Sequence, residues 1–153
     1  MPDVRLPDFA TIVPVEVFFR DLDAMGHVNN ATFFSYFEQA RTRYWLSLTG
    51  EKDFRAIGFI VVHAECDYAS PATLGEHLLV GVRIPAAGRS SFAFDYRIVC
   101  HDVREDVAPR LVATGRTIQA LYAWEANRTV PFAEDLRRKI EAREGKPLRA
   151  LSR

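Results

Sequence analysis

The stretch Ala31-Thr32-Phe33-Phe34-Ser35-Tyr36-Phe37-Glu38-Gln39-Ala40-Arg41-Thr42-Arg43-Tyr44-Trp45-Leu46-Ser47-Leu48 decides the fold. Phe33, Phe37, Ala40, Tyr44 and Leu48 recur at three- and four-residue spacing, the period of one helix face. Phe34, Tyr36, Trp45 and Leu46 widen that stripe until only a narrow polar edge remains, around Ser35, Gln39, Thr42 and Arg43. A surface helix hides one face; a helix this apolar has to be wrapped. The spacing predicts about five turns from Ala31 to Leu48. Asn29 or Asn30 suits the N-cap, because an Asn oxygen accepts a free N–H of the first turn, and Gly50 suits the stop.

The flanks supply the wrapping. After a loose, Pro-containing lead-in over residues 1–12, Val15–Arg20 reads as a strand with Val15, Val17 and Phe19 on one face. Downstream come four strand candidates, about 58–69, 77–85, 90–102 and 110–125. Phe92, Phe94, Tyr96, Ile98 and Cys100 alternate with Ala93, Asp95, Arg97 and Val99, a period of two. Pro71, the Pro85–Gly88 stretch and the charged Asp102–Pro109 stretch break the strands. A short amphipathic helix, about Phe132–Arg143, and a polar tail follow. The expectation is one α+β domain over 1–153: a curved, mostly antiparallel sheet of about five strands wrapped around one long central helix. Such a sheet leaves edges and an open end, so a homodimer, or a homotetramer built as a dimer of dimers, is expected.

Composition removes several classes of function. Hydrophobic residues make up 48% and charged residues 26%, which suits a soluble globular chain. Twenty basic residues balance twenty acidic ones, and no Lys/Arg-rich block stands out, so no nucleic-acid partner is expected. No run approaches the roughly 18 apolar residues of a membrane helix, and the first residues carry no signal-peptide pattern. Cys66 and Cys100 both sit in apolar strand-like runs and read as free thiols of a reducing compartment, which places the chain in the cytoplasm.

The densest polar cluster lies between the first strand and the helix: Arg20, Asp21, Asp23, His27, Asn29 and Asn30. A helix N-terminus presents unpaired N–H groups and a partial positive charge. A thioester carbonyl placed there would find donors for its developing oxyanion. A carboxylate on the preceding turn would attack that carbonyl or deprotonate a water that does. Gly26 would let the backbone approach a ligand closely. The same residue types are also what a turn and a helix cap use, so local sequence leaves both readings open.

The run Arg20-Asp21-Leu22-Asp23-Ala24-Met25-Gly26-His27-Val28-Asn29-Asn30, followed by Phe33, Tyr36-Phe37-Glu38 and Ala40-Arg41, resembles the signature of the 4-hydroxybenzoyl-CoA thioesterase family and its long-chain acyl-CoA thioesterase relatives. Asp67-Tyr68-Ala69-Ser70-Pro71 is similar to the Tyr-x-x-Pro closing that family's second strand, and Gly88-Arg89-Ser90-Ser91-Phe92 to the turn opening its fourth. The resemblance implies a hot-dog fold, dimeric or tetrameric, with active sites at subunit interfaces. It implies hydrolysis of an acyl-CoA thioester without a metal or other cofactor, coenzyme A being part of the substrate. Asp23 falls at the catalytic carboxylate, nucleophile or general base; the Asn30 N–H falls at the carbonyl donor; His27 matches a histidine that assists catalysis. Plant acyl-ACP thioesterases carry an Asn two positions after the Asp; here that position is Met25, which favours Asp plus the helix N-terminus. Gly26, Asn29 and Phe33 are candidates for holding substrate, and Arg89 and Ser90 for the pantetheine or phosphates of coenzyme A, since Arg suits bidentate phosphate contact.

Other signals point to no separate chemistry. His63, Glu65 and Asp67 share one strand face, a pattern that reads as a polar sheet face or dimer-edge network rather than a metal site. Gly88-Arg89-Ser90-Ser91 lacks the second glycine of a nucleophile elbow, and no Gly-rich phosphate loop follows a strand. The alternatives that stay beside the acyl-CoA thioesterase are an acyl-ACP thioesterase, a hot-dog hydratase or dehydratase, and a non-catalytic acyl-thioester-binding module. A hydratase of this kind commonly uses Asp-x-Asn-Pro-x-His, which Asp23-Ala24-Met25-Gly26-His27 does not reproduce.

Overall fold

Helix α1 spans Thr32–Thr49 and stops at Gly50, whose N–H bonds the carbonyl of Leu46. The computed structural model containing it describes residues 6–50, 58–101 and 108–152. Phe33, Tyr36, Phe37, Ala40, Tyr44 and Trp45 are all buried, so the stripe read from the spacing is the stripe that packs. Around it lie β1 (Thr11–Glu16), β2 (Phe59–Tyr68), β3 (His77–Ala87), β4 (Ser91–Cys100), β5 (Arg110–Ala123), β6 (Arg128–Thr129), helix α2 (Glu134–Glu144) and β7 (Arg149–Ala150). The main sheet runs β1-β3-β4-β5-β2 with every neighbouring pair antiparallel; β6 adds to β5, and β7 lies parallel to β3. This is the curved sheet on one helix that the sequence led us to expect. Of the charged break at 102–109, residues 102–107 lie outside the described residues, as do residues 1–5 of the lead-in.

The first strand differs from its expected position. It starts at Thr11, inside the expected lead-in, and ends at Glu16, and a 3-10 turn, Phe19–Asp21, follows. Val15 and Val17 are buried, but Phe19 is 78% exposed. The Asp21 carboxylate accepts the Phe18 N–H at 2.9 Å, and the Asp21 N–H returns to the Phe18 carbonyl at 2.9 Å. That tightening ends the period of two and swings Phe19 outward.

The core forms where α1 meets the inner sheet face. Phe92, Phe94, Tyr96 and Ile98 of β4 point inward and are buried, as the alternation demands. Phe37 stacks on Tyr96 with centroids 4.4 Å apart. The same ring lies against Gly115 of β5, where a Cβ would sit 2.4 Å from it, so only glycine admits the helix this close. Burial pushes the Tyr96 hydroxyl up to about 12. Helix α2 closes the far end: Glu144 accepts from the Tyr44 hydroxyl at 2.6 Å and from the Ile84 N–H at 3.0 Å.

Strand β2 is built differently. It forms one border of the sheet, and within it only Phe59 is buried. Val61 and Val62 are 41% and 59% exposed, so this border leaves apolar side chains in water. Neither cysteine is in a disulfide; Cys100 is buried and Cys66 half-buried, with its thiol pushed up by burial. Among the described residues no helix is long and apolar enough to cross a membrane.

Candidate active site

The turn after the 3-10 segment is closed on itself. Gly26 donates its N–H to the Asp23 carbonyl at 3.0 Å, and Asp23 donates its own to the His27 carbonyl at 2.8 Å. Gly26 sits at φ +80°, a conformation glycine adopts without steric cost. Asp23 Oδ1 accepts from the backbone N–H groups of Met25 (2.9 Å) and His27 (3.3 Å). One carboxylate oxygen is thus committed to the turn. Asp21 does structural work instead. It accepts from the Tyr36 hydroxyl at 2.9 Å and ties the turn to α1. Burial, reinforced by that carboxylate, raises the Tyr36 hydroxyl well above its ordinary value.

The start of α1 has an uneven supply of partners. Asn29 Oδ1 accepts the Ala31 N–H at 2.9 Å, and the Asn29 carbonyl accepts the Thr32 N–H at 2.9 Å. Neither cap candidate stands at the N-cap, which is Ala31; the Asn29 side chain serves the Ala31 N–H in the turn just ahead of the helix, and its oxygen is used inside the protein rather than toward a ligand. No acidic side chain stands in the first turn. The Asn30 N–H meets no acceptor among the described residues.

A second layer holds this turn from behind. Val28 donates its N–H to the Ala72 carbonyl at 2.8 Å, and His27 bridges Thr73. The segment carrying Ala72 and Thr73 is clamped by Arg110, which donates to Ser70 Oγ at 2.7 Å, to the Pro71 carbonyl at 2.6 Å and to Glu76. Glu76 also accepts the Thr73 N–H at 2.8 Å. Burial alone would raise the Glu76 carboxyl, but the bonds from Arg110 and Thr73 outweigh it and hold it below its ordinary value. Sequence reasoning assigned no role to Arg110 or Glu76, which meet only after residues 34 apart are folded together.

A cavity of about 410 Å³ opens at this place, lined by Asp23, His27, Asn30, Phe33, Tyr68 and Pro71 among others. It thus gathers Asp23, His27, Asn30 and Phe33. Gly26 shapes the turn beside it. The Asp23 carboxylate and the backbone of Asn30 thus belong to one cavity wall.

Arg89 and Ser90 lie elsewhere. Their carbonyls bond the N–H groups of Phe132 and Leu121, at the end of the sheet where β4 begins. The Asp23 turn adjoins the other end, near Arg110, which pairs with Cys100. With about 3.3 Å of rise per residue along β4, the two places are roughly 30 Å apart in one chain. Ser90 lines a separate cavity of about 730 Å³ with Ser91, Arg116, His63 and Glu65. His63 and Glu65 face each other there at 3.1 Å. Among the described residues no group of three or more His, Cys, Asp or Glu side chains could hold a metal ion.

Comparison with known proteins points the same way. Residues 17–140 match the thioesterase-like superfamily. A thioesterase of Thermus thermophilus, solved with coenzyme A and zinc, is 36% identical and superposes with a TM-score of 0.81 over 93% of this chain and 99% of that one. The 1,4-dihydroxy-2-naphthoyl-CoA hydrolase of Synechococcus elongatus is 30% identical over 77% of this chain and 85% of its own length. YsmA of Bacillus subtilis, a protein without assigned function, is 27% identical over 83% of this chain and 82% of its own.

Proposed function

The chain belongs to the thioesterase-like superfamily, and from that premise we propose that it hydrolyses an acyl-CoA thioester to the free acid and coenzyme A, with Asp23 as its catalytic carboxylate. The observation that carries the reading is the pairing of the Asp23 carboxylate with the free Asn30 N–H on one cavity at the start of α1. The thioester carbonyl oxygen sits at the Asn30 N–H. Asp23 either takes a proton from a water whose oxygen adds to the carbonyl carbon, or adds itself and is freed by water in a second step. In both routes the carbon–sulfur bond breaks, the acyl carbon keeps the oxygen from water, and the thiol leaves with the proton. His27, on the cavity wall, orders the water or the carboxylate. The reaction consumes only water and thioester and calls for no further cofactor. The two relatives whose names carry coenzyme A support a CoA thioester, and two cysteines outside any disulfide fit a cytoplasmic protein.

The reading also calls for a second copy. The open border of β2 is ten residues long and carries exposed apolar side chains, a template for pairing with another strand. Antiparallel pairing about a two-fold axis would bring the 88–90 turn of one copy toward the Asp23 end of the other. Arg89 and Ser90 would then reach the coenzyme A bound at a partner's cavity, which one chain cannot arrange.

Thiol release from a panel of short, long and aromatic acyl-CoAs tests the proposal, comparing the native protein with Asp23→Asn. Turnover that falls by about 100- to 10,000-fold in the variant is the expected result. Turnover that survives removes Asp23 from the mechanism. Binding without thiol release in the native protein overturns the hydrolase.

A further inference from the structure

We infer that Tyr68 is a positioning residue for the oxyanion donor: its hydroxyl, by bonding the Asn30 carbonyl, fixes the direction in which the Asn30 N–H points. The inference deepens the hydrolase reading and rests on it.

Tyr68 is the last residue of β2, and it is 47% exposed, so the core does not explain its place. The hydroxyl donates to the Asn30 carbonyl at 2.8 Å, a bond that spans 38 residues of sequence. The ring meets Phe33 edge-on, with centroids 5.2 Å apart, and both line the Asp23 cavity. Burial is the main cause raising the Tyr68 hydroxyl above its ordinary value, so it stays a donor at neutral pH. The Cys66 thiol is its other polar neighbour.

The two peptide planes that flank the Asn30 Cα show what the bond does. The plane containing the Asn30 N–H is held on its carbonyl side, where the Asn29 oxygen accepts from Thr32 at 2.9 Å. In the next plane, Ala31 gives its N–H to the Asn29 side chain at 2.9 Å, and Tyr68 holds the carbonyl. Every other polar group of the two planes is therefore anchored, and the group left over among the described residues is the N–H of Asn30, a residue that lines the cavity. Without the Tyr68 hydroxyl the second plane loses its carbonyl anchor and rocks, and the donor rocks with it. An oxyanion donor works by being aimed before the charge develops, so misdirection costs rate rather than binding.

Tyr68→Phe is the test, because it keeps the ring against Phe33 and removes only the hydroxyl. Whole loss of such a donor costs about 100- to 1000-fold, so a donor still present but loosened should lower kcat by roughly 10- to 100-fold. KM should stay within about two-fold, the pattern of an interaction used in the transition state. In an Asp23→Asn background, which holds substrate uncleaved, the infrared carbonyl band of the bound thioester should move toward its frequency in water. The anchor is also read without substrate: the carbonyl carbon-13 resonance of Asn30 should shift upfield and its amide broaden. An unmoved Asn30 carbonyl resonance, an unchanged kcat, or a raised KM with kcat intact would each overturn the role. A lowered kcat with the carbonyl band unmoved would overturn it too. A native protein that releases no thiol sinks the hydrolase reading instead, and the resonance experiment still decides the anchor.

Discussion

The two ends of helix α1 are finished in opposite ways. At the C-terminal end several bonds close the structure. Gly50 bonds Leu46, Thr49 Oγ1 bonds the Trp45 carbonyl at 2.9 Å, and Arg143 reaches across from α2 to the Tyr44 carbonyl at 3.0 Å and Ser47 Oγ at 2.6 Å. The Tyr44 ring is fully buried beneath that guanidinium. At the N-terminal end the helix has no side-chain cap of its own, and the Asn30 amide meets no partner among the described residues, beside an open cavity. The Asn30 amide is thereby left for water or for the ligand we propose. One end of the helix holds the fold together, and the other is held ready by what lies around it.

That contrast predicts that damage at the two ends will separate activity from stability. The largest effect belongs to Asp23→Asn, with thiol release down by about 100- to 10,000-fold. The melting temperature should hardly move, because the Asn oxygen still accepts from Met25 and His27 as Asp23 Oδ1 does. A large fall in melting temperature would show that the turn needs the charge for folding.

Tyr44→Phe inverts the outcome. It leaves Glu144 without the 2.6 Å donor in a partly buried setting, a loss of about 1–3 kcal/mol seen in thermal or urea unfolding. Turnover per folded molecule should stay within about two-fold. A fall in kcat beyond that would mean that the closed end also tunes the chemistry.

Asn29→Ala lies between the two. It removes the acceptor of the Ala31 N–H in the turn ahead of the helix and should cost about 0.5–1.5 kcal/mol, typical of one lost hydrogen bond. Because the same bond steadies the peptide planes around Asn30, kcat should drop as well. A variant that loses stability alone would confine Asn29 to the helix.

The smallest effect is one of pH. The Glu76 carboxyl is lowered from 4.5, so the stability it lends is fully present above that value and is lost as pH falls through the lowered one. Arg110→Met should flatten that part of the acid unfolding curve, and an unchanged curve would remove the clamp from the account. Glu76 is partly exposed, which keeps the expected change on the order of 1 kcal/mol or less.

Much of this was legible in the chain. The spacing of Phe33, Phe37, Ala40 and Tyr44 and the alternation of Phe92, Phe94, Tyr96 and Ile98 are periodic, and periodicity is a local property that residues carry wherever they are placed. Asp23, His27 and Asn30 stand within eight positions, so a turn and a helix start suffice to bring them to one cavity. Phe19 misled because a competing local bond, from the Phe18 N–H to Asp21, ended the strand early. Tyr68 carried a motif but no role, since its partner at Asn30 lies 38 residues away.

The sequence by itself determined the long helix, the four strands that follow it, their order and the buried stripe of the helix, because these follow from residue type and short-range spacing. Only the tertiary structure decided which N–H would be left free, that Arg110 and Tyr68 stand behind it, and that the 88–90 turn sits at the far end of the sheet. Those outcomes depend on contacts between residues distant in the chain, whose geometry is set by strand register and by how close Gly115 lets the helix approach.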